Sequence, residues 1–250
     1  MDNLKFKIRD LHKSFGKHHV LKGIDLDIVK DSSLVILGGS GSGKSVLIKL
    51  MIGLLTPDSG SILYEGIESV KMPQPERSKM LKDCGYLFQA GALFDSLTVQ
   101  QNITFFAEKL YNLNKNDIKD LAIKKLQSVG LTERILDLHP SELSGGMQKR
   151  VALARAVCTN PKVIFFDEPT TGLDPIASNV INDLIIKLRD ELNATTIIIT
   201  HDMHSARKIG KEVAFLLEGK IVWSGKMKDI DNADNPQLHE FISGGESYKH

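Results

Sequence analysis

An α/β fold with a mostly parallel sheet core is predicted by three observations. Leu34-Val35-Ile36-Leu37, Val163-Ile164-Phe165-Phe166 and Thr196-Ile197-Ile198-Ile199-Thr200 are unbroken apolar or β-branched runs, the composition of strands buried on both faces. Stretches of helical period follow the first two, the alternation of a βα unit. Polar residues able to do chemistry stand at the ends of such runs: Gln89 after 85–88, Asp167 and Glu168 after 163–166, His201 after 196–200. Open α/β sheets bind ligands at that edge.

The 250 residues, 42% of them hydrophobic, suffice for one large domain or a domain with a sub-lobe. Lys+Arg 32 against Asp+Glu 31 leaves a formal charge of +1, so no broad basic surface is available and nucleic acid is not an expected partner. The two cysteines, Cys84 and Cys158, lie far apart without metal-type spacing and read as small packed residues of a protein from a reducing cytoplasm. The opening Met1-Asp2-Asn3-Leu4-Lys5 has no apolar signal core, and no run approaches the ~20 apolar residues of a spanning helix. Any service to a membrane is therefore expected from outside the bilayer.

In chain order, 5–9 and 20–29 read as strands, the second alternating Ile24, Leu26 and Ile28 with Asp25 and Asp27. Between them Ser14-Phe15-Gly16-Lys17-His18-His19 reads as a turn. By residue type Phe15 is a core anchor, the alternative being a face for a purine ring. The run 34–37 then enters Gly38-Gly39-Ser40-Gly41-Ser42-Gly43-Lys44-Ser45, and an apolar helix follows over 46–52. In that strand, loop and helix context a G-x-x-x-x-G-K-S sequence cradles the phosphates of a nucleoside triphosphate: glycines turn backbone N–H groups inward and the helix start adds partial positive charge. Lys44 would bridge the β- and γ-phosphates and Ser45 would ligate Mg²⁺.

A turn at Pro57-Asp58-Ser59-Gly60, a strand over 61–64, a loop around Pro73-Gln74-Pro75 and a strand over 85–88 come next. Gln89 is either a polar strand exit or a sensor of metal and attacking water. From 90 to about 160 the pattern turns helical, with Ile118, Leu121, Ala122, Leu126 and Val129 on one face, and reads as an inserted lobe. Ser144 suits a helix N-cap, and Gly145-Gly146 after it expose backbone N–H groups of the kind an anion site uses. Asp167 would hold Mg²⁺ and Glu168 would polarise the attacking water. After the turn Pro169 to Pro175, Ile181, Leu184, Ile185, Leu188 and Leu192 line one helix face. A neutral His201 can hydrogen-bond a γ-phosphate. His204 and His239 read as surface residues. A hairpin over 213–217 and 220–223, a polar loop over 231–235, a short helix over 236–243 and a mobile tail through Gly244-Gly245-Glu246-Ser247 complete the chain.

The loop 38–45, Gln89, Leu143-Ser144-Gly145-Gly146-Met147-Gln148, Phe166-Asp167-Glu168-Pro169 and His201 resemble, in order and spacing, the ATP-binding-cassette (ABC) ATPases over about residues 4–225. The resemblance implies a P-loop NTPase fold of the RecA-like kind: a mixed sheet core with an antiparallel β subdomain (1–89 and 161–225), an inserted helical subdomain (90–160), and a C-terminal helix and tail (226–250). It implies hydrolysis of ATP with Mg²⁺, with Lys44, Gln89, Glu168 and His201 as the catalytic set. Ser45, Gln89 and Asp167 would hold the metal. Phe15 matches the aromatic on adenine, which reverses the core reading. A head-to-tail homodimer is implied, in which Ser144, Gly145 and Gly146 of one copy close over the ATP held by 38–45 of the other, and Asp174 lies in the loop that crosses between them.

A narrower resemblance lies in Leu87-Phe88-Gln89-Ala90-Gly91-Ala92-Leu93-Phe94 together with Pro140-Ser141-Glu142-Leu143-Ser144-Gly145-Gly146-Met147. These are similar to the ATPases of the Mla or MCE (mammalian cell entry) systems, which move phospholipid or related lipids between the membranes of diderm bacteria. That likeness implies integral-membrane permease subunits contacting the segment after Gln89, an MCE-domain substrate-binding protein, a small regulatory subunit, and a place at the cytoplasmic face of the inner membrane. Gly39 departs from the proline many cassettes carry, leaving the loop more pliant. A cassette for another solute such as an amino acid would share every hydrolytic residue. A soluble cassette protein of ribosomes or DNA is disfavoured by the single motif set and the absence of a long coiled-coil insertion.

Overall fold

The computed structural model describes residues 3–89, 91–111 and 113–244. Ala90, in the segment expected to meet a permease, and Gly245, Glu246 and Ser247 of the expected tail lie outside the described residues. Two compact units divide the chain, Met1–Leu81 with Thr195–His250, and Lys82–Ala194.

The first unit opens with β1 (Leu4–Phe15) and β2 (His18–Val29), followed by β3 (Ser33–Leu37), α1 (Lys44–Met51), β4 (Ser59–Tyr64), β5 (Ile67–Glu68) and α2 (Gln74–Lys82). β1 and β2 pair antiparallel, with Phe6 opposite Ile28 and Ile8 opposite Leu26, so the apolar alternation of each strand meets the other's on one buried face. The sheet order is β2-β1-β4-β5. The turn expected over 14–19 is shorter, because Ser14 and Phe15 pair with His19 and His18. Ser14 N–H donates to Asp58 at 2.6 Å, which extends the ladder to a turn at Gly16 and Lys17. The loop expected at Pro73-Gln74-Pro75 is instead the start of α2. Proline is tolerated in a first helical turn, and Arg77 N–H donates to the Pro73 carbonyl at 2.9 Å.

The second unit carries β6 (Cys84–Leu87), α3 (Val99–Tyr111), α4 (Lys115–Ser128), α5 (Gly145–Ala156), β7 (Val163–Asp167) and α6 (Pro175–Leu192). β6 and β7 run parallel, Leu87 opposite Phe166. Helical structure starts later than residue 90, at Val99. The irregular, turn-containing segment before it is tied by Asn102, whose side chain accepts from Phe94 N–H at 2.8 Å and donates to the Phe94 and Leu97 carbonyls at 3.0 Å each. Asn114 caps α4 and Ser144 caps α5, as its sequence position suggested. Cys84 is half-buried and Cys158 buried, its thiol pushed up to about 11 by burial.

At Gly85 the strand passes so close to α5 that a Cβ would lie 2.1 Å from the Ala156 carbonyl oxygen. That neighbour is backbone and cannot rotate away. Gly85→Ala should therefore destabilise the protein by about 1–3 kcal/mol, read as a lowered midpoint in thermal unfolding. An unchanged midpoint would refute the close approach.

The chain then returns to the first unit with β8 (Thr195–Thr200), α7 (Met203–Ile209), β9 (Glu212–Leu217), β10 (Lys220–Lys226) and α8 (Pro236–Ile242). β3 is flanked by β8 and β9, both parallel to it, and β10 closes antiparallel on β9. Ile197, Ile198, Ile199 and Phe215 are fully buried. The polar loop expected over 231–235 begins as a 3₁₀ turn, Met227–Asn232, because Ile230 is buried. Among the described residues no helix is long and apolar enough to cross a membrane.

Candidate functional site

The loop 38–45 owes its shape to three glycines. A Cβ on Gly38 would lie 2.4 Å from the Leu216 carbonyl oxygen, and Gly41 and Gly43 have φ of 77° and 106°, which L side chains resist. Gly39 is half-buried and Ser40 exposed at the tip, while Ser45 lies half-buried in the first turn of α1. The Lys44 ammonium points into the loop's own curve, donating to the carbonyls of Gly38 at 2.8 Å and Gly39 at 2.9 Å. No side chain caps α1 at Gly43, and the Ser42 hydroxyl is buried without a hydrogen-bond partner. A cap-less helix start, a buried cation and an orphaned hydroxyl in one loop fit a bound phosphate chain.

Leu37 pairs with Thr200, so Gly38 and His201 leave paired strands side by side. His201 is exposed. Asp202 beyond it caps α7. Burial raises its carboxyl, but hydrogen bonds from Ser205 and His204 outweigh burial and hold it below the usual carboxylate range. Phe15, at the end of β1, is 49% exposed with the Lys13 ammonium 5.5 Å from its ring centroid. The core assignment made from residue type is therefore corrected: about half of the ring is exposed.

In the second unit, pairing of Leu87 with Phe166 brings the exits of β6 and β7 together. Asp167 and Glu168 are both largely buried. The Tyr86 hydroxyl donates to Asp167 at 3.4 Å, and burial together with the Asp167 charge pushes the phenol up, so it stays a donor. The Thr171 hydroxyl donates to Glu168 at 3.3 Å, and Glu168 has a left-handed backbone, φ 48°. Gln89 is exposed, and its carbonyl accepts from the Lys149 ammonium. Burial lowers Lys149's affinity for its proton, while Asp167 and Glu168 oppose that effect.

Ser144 and Asp174 are exposed and serve as helix caps, accepting from Met147 N–H at 3.3 Å and Ala177 N–H at 2.8 Å. A Cβ on Gly145 or Gly146 would meet nothing within 4 Å, so that face of α5 is open. Residue type and order had not singled out Tyr86, Lys149 or Arg155. A basic residue inside a polar helical window reads as solvated, and only the fold reveals the burial.

A model of the family described as ABC transporter matches residues 21–171. The chain is 38% identical to "Protein TRIGALACTOSYLDIACYLGLYCEROL 3, chloroplastic" of Arabidopsis thaliana over 94% of its own length and 72% of the relative's. It is 36% identical to the "Probable ribonucleotide transport ATP-binding protein mkl" of Mycobacterium leprae, over 95% and 68%. The "Intermembrane phospholipid transport system ATP-binding protein MlaF" of Haemophilus influenzae is 34% identical, over 98% of this chain and 92% of that one. Among solved structures, the dimeric post-hydrolysis state of the ATP-binding cassette MJ0796 bound to ADP and Pi superposes with a TM-score of 0.81 at 30% identity, covering 89% of this chain and 98% of that one. The family match and the mixed parallel and antiparallel sheets agree with the phosphate loop, and the chain belongs to the ABC transporter family as an ATP-binding, ATP-hydrolysing cassette.

Proposed function

We propose that this cassette powers the transport of phospholipid or a related lipid, working as a homodimer against integral-membrane permease subunits at the cytoplasmic face of the inner membrane. The observation that carries the reading is the similarity, over nearly the whole of both chains, to a protein named for intermembrane phospholipid transport. The dimeric form of a structurally similar cassette supports the homodimer. In this reading Phe15 lies on adenine, and residues 38–45 with Lys44 hold the phosphates. Ser45, Gln89 and Asp167 would hold Mg²⁺, which neutralises charge on the phosphate oxygens. Glu168 acts as general base toward the attacking water, and His201 donates to the γ-phosphate. Ser144, Gly145 and Gly146 complete the second copy's site, and Asp174 lies in the loop between copies. An MCE-domain protein and a small regulatory subunit complete the assembly. The orphaned Ser42 hydroxyl and open Gly145-Gly146 face support a site finished by groups from outside one chain.

The test is affinity purification of the tagged chain from its native host in mild detergent, with partners identified by mass spectrometry. A multi-span permease together with a single-span MCE-domain protein is the expected result. A permease with a soluble solute-binding protein would replace the lipid by that solute, such as an amino acid, or a ribonucleotide as in the name of the mycobacterial relative. Recovery with ribosomes alone would overturn transport.

A further inference from the structure

Helix α5 carries two cations that the fold buries, Lys149 and Arg155, each 7% exposed. Both reach the segment that leaves β6. Lys149 donates to the Gln89 carbonyl, and the Arg155 guanidinium donates to the carbonyls of Gly91 at 2.6 Å and Ala92 at 2.8 Å. A buried ammonium persists only where partners replace its water. For Lys149 that partner is the Gln89 carbonyl, while the negative charges of Asp167 and Glu168 favour its protonated form. The same helix begins at the Ser144 cap and the open Gly145-Gly146 face.

We propose that Lys149 is a positioning residue for ATP hydrolysis, fastening the Gln89 backbone to the helix that opens with Ser144-Gly145-Gly146. The proposal rests on the reading that these residues form the hydrolytic site. Arg155 holds the next carbonyls along, so the segment moves with α5 rather than independently of it. A shift of α5 as its N-terminus meets the second copy's nucleotide is thereby passed to Gln89, and displacements near 1 Å at a catalytic group can cost about 10²-fold in rate. Lys125 is the contrasting case. It is also buried in this unit, but it donates to the Val157 carbonyl and to Asn160 at 2.7 Å each, both just past the C-terminal end of α5 and away from the Gln89 segment in sequence.

The experiment uses the full chain, titrating Mg-ATP for kcat and KM and measuring binding of a fluorescent ATP analogue and thermal unfolding in parallel. Lys149→Met is expected to lower kcat about 10- to 100-fold with KM and analogue affinity little changed. Lys149→Arg, which keeps charge and donor, should recover most of the loss. Lys149→Gln, a milder change should Met impair folding, is expected to fall between. Lys125→Met should lower thermal stability and leave kcat unchanged. Wild-type kcat in Lys149→Met or Lys149→Gln, or a loss that Arg does not recover, overturns the positioning role. Glu168→Gln is measured alongside: if it hydrolyses normally, the hydrolytic reading itself fails, whereas an inactive Glu168→Gln beside a fully active Lys149→Met rejects Lys149 alone.

Discussion

Glu168→Gln is expected to lower ATP turnover by about 10²–10⁴-fold while leaving Mg-ATP binding intact, the range lost when a positioned general base is removed. The substitution keeps the side chain's length and an oxygen to accept from Thr171, so the β7 exit should hold its shape. What disappears is the carboxylate proposed to take a proton from water. ATP bound without hydrolysis should then trap the closed dimer, visible as an ATP-dependent shift to twice the mass in size-exclusion chromatography with light scattering. Turnover at the wild-type rate would remove Glu168 from the mechanism. Loss of binding together with turnover would assign it to nucleotide affinity instead.

Lys44→Ala and Ser144→Arg should each abolish hydrolysis alone, by about 10²-fold or more, the first by deleting a charged phosphate donor and the second by filling the open glycine face. Mixed together they should regain part of the activity. In a head-to-tail heterodimer both lesions fall on one site and the other is intact, so at most one competent site per dimer is restored. Full activity in either variant alone would sink the shared site. Because the Ser144 hydroxyl also caps α5, thermal unfolding belongs beside the assay: losing such a cap costs about 1 kcal/mol. A Ser144→Arg protein that has merely unfolded would not complement.

The parts legible in the sequence were those whose local pattern and tertiary role agree. Val163 to Phe166 is apolar on both faces because β7 is buried on both, and Ile181, Ile185 and Leu188 fall on one side of α6 because that side is covered. The phosphate loop was legible for a different reason: the glycines at 38, 41 and 43 are imposed by a close carbonyl and left-handed turns, so geometry shows directly as composition. Where pattern and role part, reading failed. α2 holds only Met80 buried and has Pro73 just before it and Pro75 in its first turn, a pair that looks like a loop until those positions are known. The polar ends of β1 and β2 pair through backbone and Asp58, which no side-chain alternation announces. Phe15 is outward although aromatic, and Lys149 and Arg155 are inward although charged. For Lys149 and Arg155 a partner some sixty residues away in sequence decides.

The left-handed backbone at Glu168 has a consequence for how such a chain can change over time. Glutamate at φ 48° is held where glycine would sit with less strain, the difference being about 1–2 kcal/mol. A glycine there would relieve that strain, but Glu168→Gly would also remove the buried carboxylate that accepts from Thr171 and loosen the unfolded chain, so the two effects on stability oppose each other. In the proposed mechanism the side chain that meets the attacking water thus stands on a backbone fixed by its surroundings and not by glutamate's own preference.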